Sequence, residues 1–319
     1  IGEQAGLGGT TSAPYSSGEY NVAVGYQALD AFTTANSVVA IGSNAGTSIT
    51  SGGYHVLVGH QAGQMITGGN YTTHVGYRAS RYNTGAYNTS LGYQALLGAS
   101  GASTGTSNVA IGYNTLKAAT TGYGNTAVGA ETLDAVTEGF YNIGIGPAAG
   151  GSITTGDYNI AIGYAAFDAA TTAGSTIAIG YAALSAYTHA ENSFNVAIGT
   201  QTAYLKTSGR FNTYIGGYKV ADADLTGEYN TYLGSYTNQY GTATSNATLI
   251  GYQAGRYATG SYNTFVGKDA GKGGTTSAPY STGQQNTGVG TEALESITTG
   301  GTNVGVGYRS GDGVTSGYQ

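Results

Sequence analysis

The chain has 319 residues, among them 57 glycines and 29 tyrosines, with no cysteine, no tryptophan and only 8% charged residues. Ordinary globular domains carry about a quarter of their residues as charges, so a conventional globular core is not expected, and without cysteine there is neither a disulfide framework nor a thiolate site. A net charge of −6 and ten Lys/Arg that form no run argue against a nucleic-acid partner; no apolar stretch reaches the roughly 20 residues of a bilayer span, so membrane insertion is not expected either.

A repeat organises the whole chain. A glycine preceded by Ile, Val or Leu recurs at positions 2, 25, 42, 59, 76, 92, 112, 129, 146, 163, 180, 199, 216, 234, 251, 267, 290 and 307, most often at intervals of 17. Periods of this length are the mark of solenoids. The spacing predicts an all-β, parallel β-solenoid of about eighteen coils of about 17 residues, forming one continuous repeat region over residues 1–319. A single coil cannot offset the backbone entropy of ordering it, about 1–2 kcal/mol per residue, so stability has to accrue by stacking.

Within a coil, positions are counted from this anchor glycine. At −7 stands Gly in most coils, as in Thr121-Gly122 and Thr155-Gly156, where it would supply the positive φ of a tight corner. At −5 stands a tyrosine column that includes Tyr141 and Tyr158, and at −4 an asparagine column that includes Asn108, Asn125, Asn142 and Asn159. That column is expected to bond its amides to the coils on either side. Positions −3 and −1 hold β-branched or aliphatic residues in alternation, as in Val22/Val24, Val109/Ile111, Ile160/Ile162 and Val196/Ile198. Alternation with period 2 puts them on one face of a short strand. That face is expected to point inward as the structural core, leaving the small residue at −2 (Ala110, Ala161, Ala197) outside, where a second chain could approach closely. A second tyrosine column at +1 includes Tyr164 and Tyr181, and alanine at +3 suits a narrow interior.

A longer period overlies the coils. Residues 5–16 return almost unchanged at 270–281, 265 residues later, which suggests a super-repeat. Ile1 is the last residue of a strand motif, and Gln319 matches Gln285 ahead of an Asn of that motif; the chain is therefore expected to be a window onto a longer fibre.

The motifs Asn108-Val109-Ala110-Ile111-Gly112 and Asn195-Val196-Ala197-Ile198-Gly199 resemble the head repeats of trimeric autotransporter adhesins and the repeats of phage tail-fibre proteins. The resemblance covers nearly the whole chain. It implies a left-handed β-roll, a homotrimer with its chains intertwined or side by side, and an extracellular role in attachment to a host surface.

Candidate chemistry is sparse. His55, His60 and His74 lie in adjacent coils but lack a cysteine or carboxylate to complete a metal set. Asp222, Asp224 and Glu228 carry no calcium-solenoid spacing and read as a solvated corner. Glu131, Asp134, Glu138, Glu292 and Glu295 make no facing catalytic pair, and no nucleophile, phosphate-loop or zinc motif is present. Sequons occur at Asn70, Asn88 and Asn246. No cofactor, metal or catalytic residue is expected. The expected function is a structural fibre shaft of a viral tail fibre or adhesin, with the chain itself as partner; the alternative is an extracellular or cell-surface filament. In either, the tyrosines Tyr141, Tyr158, Tyr164 and Tyr181 are candidates for stacking against a surface glycan.

Overall fold

The computed structural model describes residues 1–8, 16–101, 103–274 and 280–317. Much of the proposed super-repeat, residues 9–15 and 275–279, lies outside the described residues. The chain is an all-β solenoid of 17 parallel strands with no helix among the described residues. It divides into two units. Ile1–Tyr158 contains β1 (Val22–Val24), β2 (Asn36–Ile41), β3 (Gly53–Val58), β4 (Asn70–Val75), β5 (Thr89–Leu91), β6 (Val109–Ile111), β7 (Thr126–Val128) and β8 (Ile143–Ile145). Asn159–Gln319 contains β9 (Ile160–Ile162), β10 (Ile177–Ile179), β11 (Val196–Thr200), β12 (Thr213–Tyr218), β13 (Thr231–Leu233), β14 (Thr248–Ile250), β15 (Thr264–Val266), β16 (Thr287–Val289) and β17 (Val304–Val306).

In each unit every strand pairs in parallel with the next, in the register of the repeat: Val22↔Val39 and Val24↔Ile41, and likewise Ile177↔Val196 and Ile179↔Ile198. Like positions therefore stack into columns. The register slips once, between β11 and β12, where Ile198 faces Ile215 but Thr200 faces Tyr218. The extra residue is Gly217, placed directly after the anchor Gly216.

The turns between strands solve a hydrogen-bonding problem. A chain that bends around a narrow axis must still aim its N–H and C=O groups at the coils on either side. It does so by inserting left-handed residues at −5, +2 and +4: in one coil these are Tyr87 (φ 60°), Gln94 (φ 53°) and Leu96 (φ 53°). Gln94 N then donates to Tyr77 O of the preceding coil at 2.9 Å, while Leu96 N donates to Thr115 O of the following coil at 2.8 Å. The anchor glycine between the strand and this turn sits at φ +136° in Gly92, where a Cβ would strike the backbone of the next anchor, Gly112. Only glycine fits.

The corner glycine at −7 is required for a different reason from the one its sequence context suggests. Gly105, Gly122 and Gly139 do not adopt positive φ; a Cβ on Gly139 would lie 2.5 Å from Gly156 O of the next coil. Close backbone approach selects glycine at these corners, while Gly52 (φ 83°) and Gly209 (φ 88°) do adopt the expected positive φ.

The core lies on the opposite face from the one the alternation suggests. Val22, Val24, Val109, Ile111, Ile160, Ile162, Val196 and Ile198 all point outward and none is buried, with Val22 47% exposed. The interior is filled instead by the −2 column (Ala110, Ala127, Ala161, Ala178, Ala197) together with the +3 alanines and most of the residues at +4 and +7, such as Leu96, Leu133, Ile49 and Ile153, all fully buried. A 17-residue coil encloses too little space for two β-branched rows. It admits one small residue per strand, met by one larger residue from the turn. The exchange is complementary: Ala110, Ala127 and Ala178 at −2 accompany Leu116, Leu133 and Leu184 at +4, whereas Leu57, Leu249 and Phe265 accompany Gly63, Gly255 and Gly271. A Cβ added to Gly255 would lie 2.8 Å from the Leu249 side chain, so the large residue at −2 forbids one at +4.

Candidate functional site

The asparagine column forms ladders in each unit, broken at Val38, His55 and Thr72 in the first and at Thr176 and Ala247 in the second. Asn108 N donates to Asn88 Oδ1, Asn125 N to Asn108 Oδ1 and Asn142 N to Asn125 Oδ1, each at 2.9 Å. The amide nitrogens donate onward to Gly122 O at 2.9 Å and to Gly139 O and Gly156 O at 2.8 Å. In the second unit Asn159 Nδ2 donates to Ala173 O at 2.9 Å and its Oδ1 accepts from Thr176 N at 3.1 Å. Each asparagine thus ties three coils together at a buried corner, and each buried backbone group left unpaired there would cost about 1–3 kcal/mol.

The tyrosine columns stand on the surface as stacked ladders. At −5, Tyr54 stacks on Tyr71 with centroids 4.9 Å apart, and Tyr141 on Tyr158 at 5.5 Å. At +1, Tyr77, Tyr93 and Tyr113 form a run with spacings of 5.2 and 5.3 Å, and Tyr164 and Tyr181 form a pair at 5.6 Å and 12°. Rings stacked along the coil direction spend their faces on one another and turn edges and hydroxyls to solvent. A sugar cannot stack on the middle of such a ladder. A free ring face exists only where a ladder ends.

Cations lie close to several of the rings: Arg78 is 5.0 Å from the Tyr77 ring centre, Lys219 5.6 Å from that of Tyr218 and Arg309 5.4 Å from that of Tyr308. Polar side chains at +2 run alongside, as where Gln27 Nε2 donates to Gln4 Oε1 and Arg78 Nε to Gln61 Oε1, at 2.8 and 2.9 Å.

Two polar clusters lie in the interior, where sequence reasoning expected none. His55 takes an asparagine position at −4 and His74 an alanine position at −2; both are fully buried. His55 Nδ1 is 2.8 Å from Thr72 Oγ1 and His74 Nδ1 is 2.9 Å from Ser90 Oγ, while the Nε2 atoms of both rings make no hydrogen bond. Burial pushes His74 down to about 3, with the neighbouring His55 adding to the effect, and burial lowers His55 as well. Both imidazoles are therefore neutral at pH 7. His60, by contrast, is stacked on Tyr77 at 5.4 Å.

The second cluster fills two successive interior slots at +7, counted past the extra Gly217 in the second of them, which elsewhere hold residues such as Ile49, Ile66 or Val136. Here they hold Lys206 and Asp224, both fully buried. Lys206 Nζ donates to Gly227 O at 2.7 Å, and Asp224 accepts from Gly227 N at 3.0 Å and from the Tyr214 hydroxyl at 2.9 Å. The backbone of one residue, Gly227, thus lies between the two ionisable groups, its N–H on Asp224 and its C=O on Lys206. Desolvation lowers Lys206 and raises Asp224. The solvated corner read around Asp222 and Asp224 is therefore half wrong: Asp224 is core, while Asp222 pairs with Lys219 at 3.3 Å. Among the described residues no group of three or more His, Cys, Asp or Glu is placed to hold a metal ion.

These substitutions had a signal in the sequence. A His, Lys or Asp at −2, −4 or +7 replaces an Ala, Asn or Ile that the column otherwise prefers, and a residue in an interior column is buried whatever its polarity. The signal can be read only once the −2 row, and not the −3 and −1 rows, is known to face inward.

No protein-family model and no curated protein matches this sequence. No helix among the described residues is long and apolar enough to cross a membrane.

Proposed function

We propose that the chain is a non-catalytic structural module of an extracellular fibre, the shaft of a viral tail fibre or of a surface adhesin, and that it assembles as a homotrimer along the outer faces of its strands. The observation that carries this reading is the outward pair of columns at −3 and −1. In β1–β8 the rows run Val22, Val39, Val56, Thr73, Thr89, Val109, Thr126, Ile143 and Val24, Ile41, Val58, Val75, Leu91, Ile111, Val128, Ile145, and the second unit repeats the pattern. No charged residue or proline interrupts either row. A sheet face that meets water carries polar residues, and soluble monomers rarely expose a contiguous apolar patch larger than a few hundred Å². Eight rungs at about 4.8 Å make a stripe of about 34 Å. Val22, Ile41, Val56, Leu91, Ile143 and Ile145 are each at least 37% exposed on it.

A second copy is the occupant that fits. Its stripe has the same rung spacing, so aliphatic side chains of two copies interdigitate rung by rung, and no charge has to be desolvated. The close approach expected through alanine at −2 plays no part, since those alanines are interior. Sedimentation velocity on the purified chain tests the proposal. Three chains of 32.0 kDa should sediment together at micromolar concentration, and Ile160→Glu with Ile162→Glu should release monomers of unchanged circular dichroism. A wild-type chain that sediments as a 32.0 kDa monomer would overturn it.

A further inference from the structure

We propose that a recess on the turn flank of the second unit, beside Tyr164 and Tyr181, is a binding site for a neutral pyranose sugar. The recess has a volume of about 360 Å³, at the small end of the roughly 300–1,000 Å³ typical of small-molecule sites. It lies on the turn between +1 and +6, away from the −3 and −1 rows, so the inference stands whether or not the chain assembles.

Local sequence opens the recess. Position +2 carries a long or polar side chain in most coils, such as Gln61, Arg78, Gln94, Gln201 and Gln253, but it is Ala165 and Ala182 in the two coils that begin with Tyr164 and Tyr181. Beside Tyr77, Arg78 both packs within 5.0 Å of the ring centre and bonds to the polar ladder. Beside Tyr164 and Tyr181 an alanine has neither capacity, and the two residues leave a floor of methyl groups. The next residue in the +1 column is Thr200 instead of a tyrosine, which makes Tyr181 the last ring of its ladder. Its face away from Tyr164 is not taken up by another ring of the column. The far wall is Tyr204 and Leu205 of the following coil, with Ser185 between.

The chemistry of the lining selects the ligand. Methyl groups, a leucine and a ring face suit the C–H face of a pyranose, and phenolic and serine hydroxyls suit its hydroxyl groups. The lining contains one carboxylate, Asp168, and no Lys, Arg or His, so its charge disfavours an acidic sugar.

Saturation-transfer NMR on the intact chain tests the assignment, with the methyl glycosides of glucose, galactose, mannose and N-acetylglucosamine as neutral probes and methyl sialoside as the acidic one. Transfer to at least one neutral probe is expected, and Ala165→Gln with Ala182→Gln should weaken it at least tenfold. That variant should fold, because glutamine occupies the same left-handed position at Gln94 (φ 53°) and Gln253 (φ 59°). Tyr181→Ala should weaken it similarly. No transfer to any neutral probe, equal transfer in the glutamine variant, or stronger transfer to the sialoside would each overturn the proposal.

Discussion

Gln94 is held at φ 53°, in a region that costs a side-chain-bearing residue about 1–2 kcal/mol. The coil accepts that cost because the alternation of right- and left-handed residues is what directs each N–H along the stacking direction. β-Branched residues are worst in this region, and, once the extra Gly217 shifts one coil's count by one so that its left-handed residues are Lys219 and Ala221, neither +2 nor +4 is Val, Ile or Thr in any coil, although the chain is rich in all three. Gln94→Val should therefore destabilise the protein by about 1–3 kcal/mol, whereas Gln94→Asn should be close to neutral. Chemical denaturation of the two variants checks this; equal loss in both would show that the side chain and not its backbone angle matters. The exclusion of branched residues from two columns was legible in the sequence. An absence of this kind stands out less in a sequence than the recurring tyrosine, asparagine, aliphatic and alanine columns.

For the single strand, the anchor, the 17-residue period, the parallel stacking and the asparagine column follow from the pattern of residues. The inward face does not. A period of 2 divides a strand into two faces without saying which is inside, and hydrophobicity picks −3 and −1 because Val and Ile are larger than Ala. Volume decides otherwise, since the coil interior holds Ala127 with Leu133 but has no room for Thr126 and Val128 together. Once the −2 column is interior, His74 becomes conspicuous among its alanines. The folded protein binds fewer protons than the unfolded chain at His74, which titrates near 3 when folded and near 6.5 when unfolded. Stability is therefore full above about pH 6.5 and falls as the pH drops from there towards 3, and His55, lowered in the same sense, adds to the loss. Protonation would place an N–H without an acceptor at Nε2 in the core. Restoring the residues typical of these columns, with His55→Asn, His74→Ala and, at the buried +4 position of the same coil as His74, Ser80→Leu, should flatten the profile. The melting temperature of the variant should change less between pH 7 and pH 4 than that of the parent; parallel curves would show that acid acts elsewhere.

At the scale of the whole molecule, the chain is a set of repeats that each contact only their neighbours, so stability grows coil by coil, yet every coil leaves two aliphatic side chains on its outer face. Interior packing alone wastes these residues: Ile41, Leu91 and Ile145 gain little from folding while 39%, 48% and 41% exposed. Burial of apolar area contributes about 25 cal/mol per Å², so a rung whose outer pair is covered is stabilised well beyond a rung left bare. If copies of the chain cover one another, association and folding are linked by mass action, and each tenfold rise in protein concentration must raise the stability of the assembled state. Thermal melts between 1 and 100 μM, a range chosen to bracket micromolar association, should then shift upward with concentration. In Val109→Glu with Ile111→Glu, which places charges on the outward rows and touches no interior side chain, the shift should shrink without a matching loss at the dilute end. A parent protein whose melting temperature is the same across the range would place the outer stripe in contact with something other than a second copy.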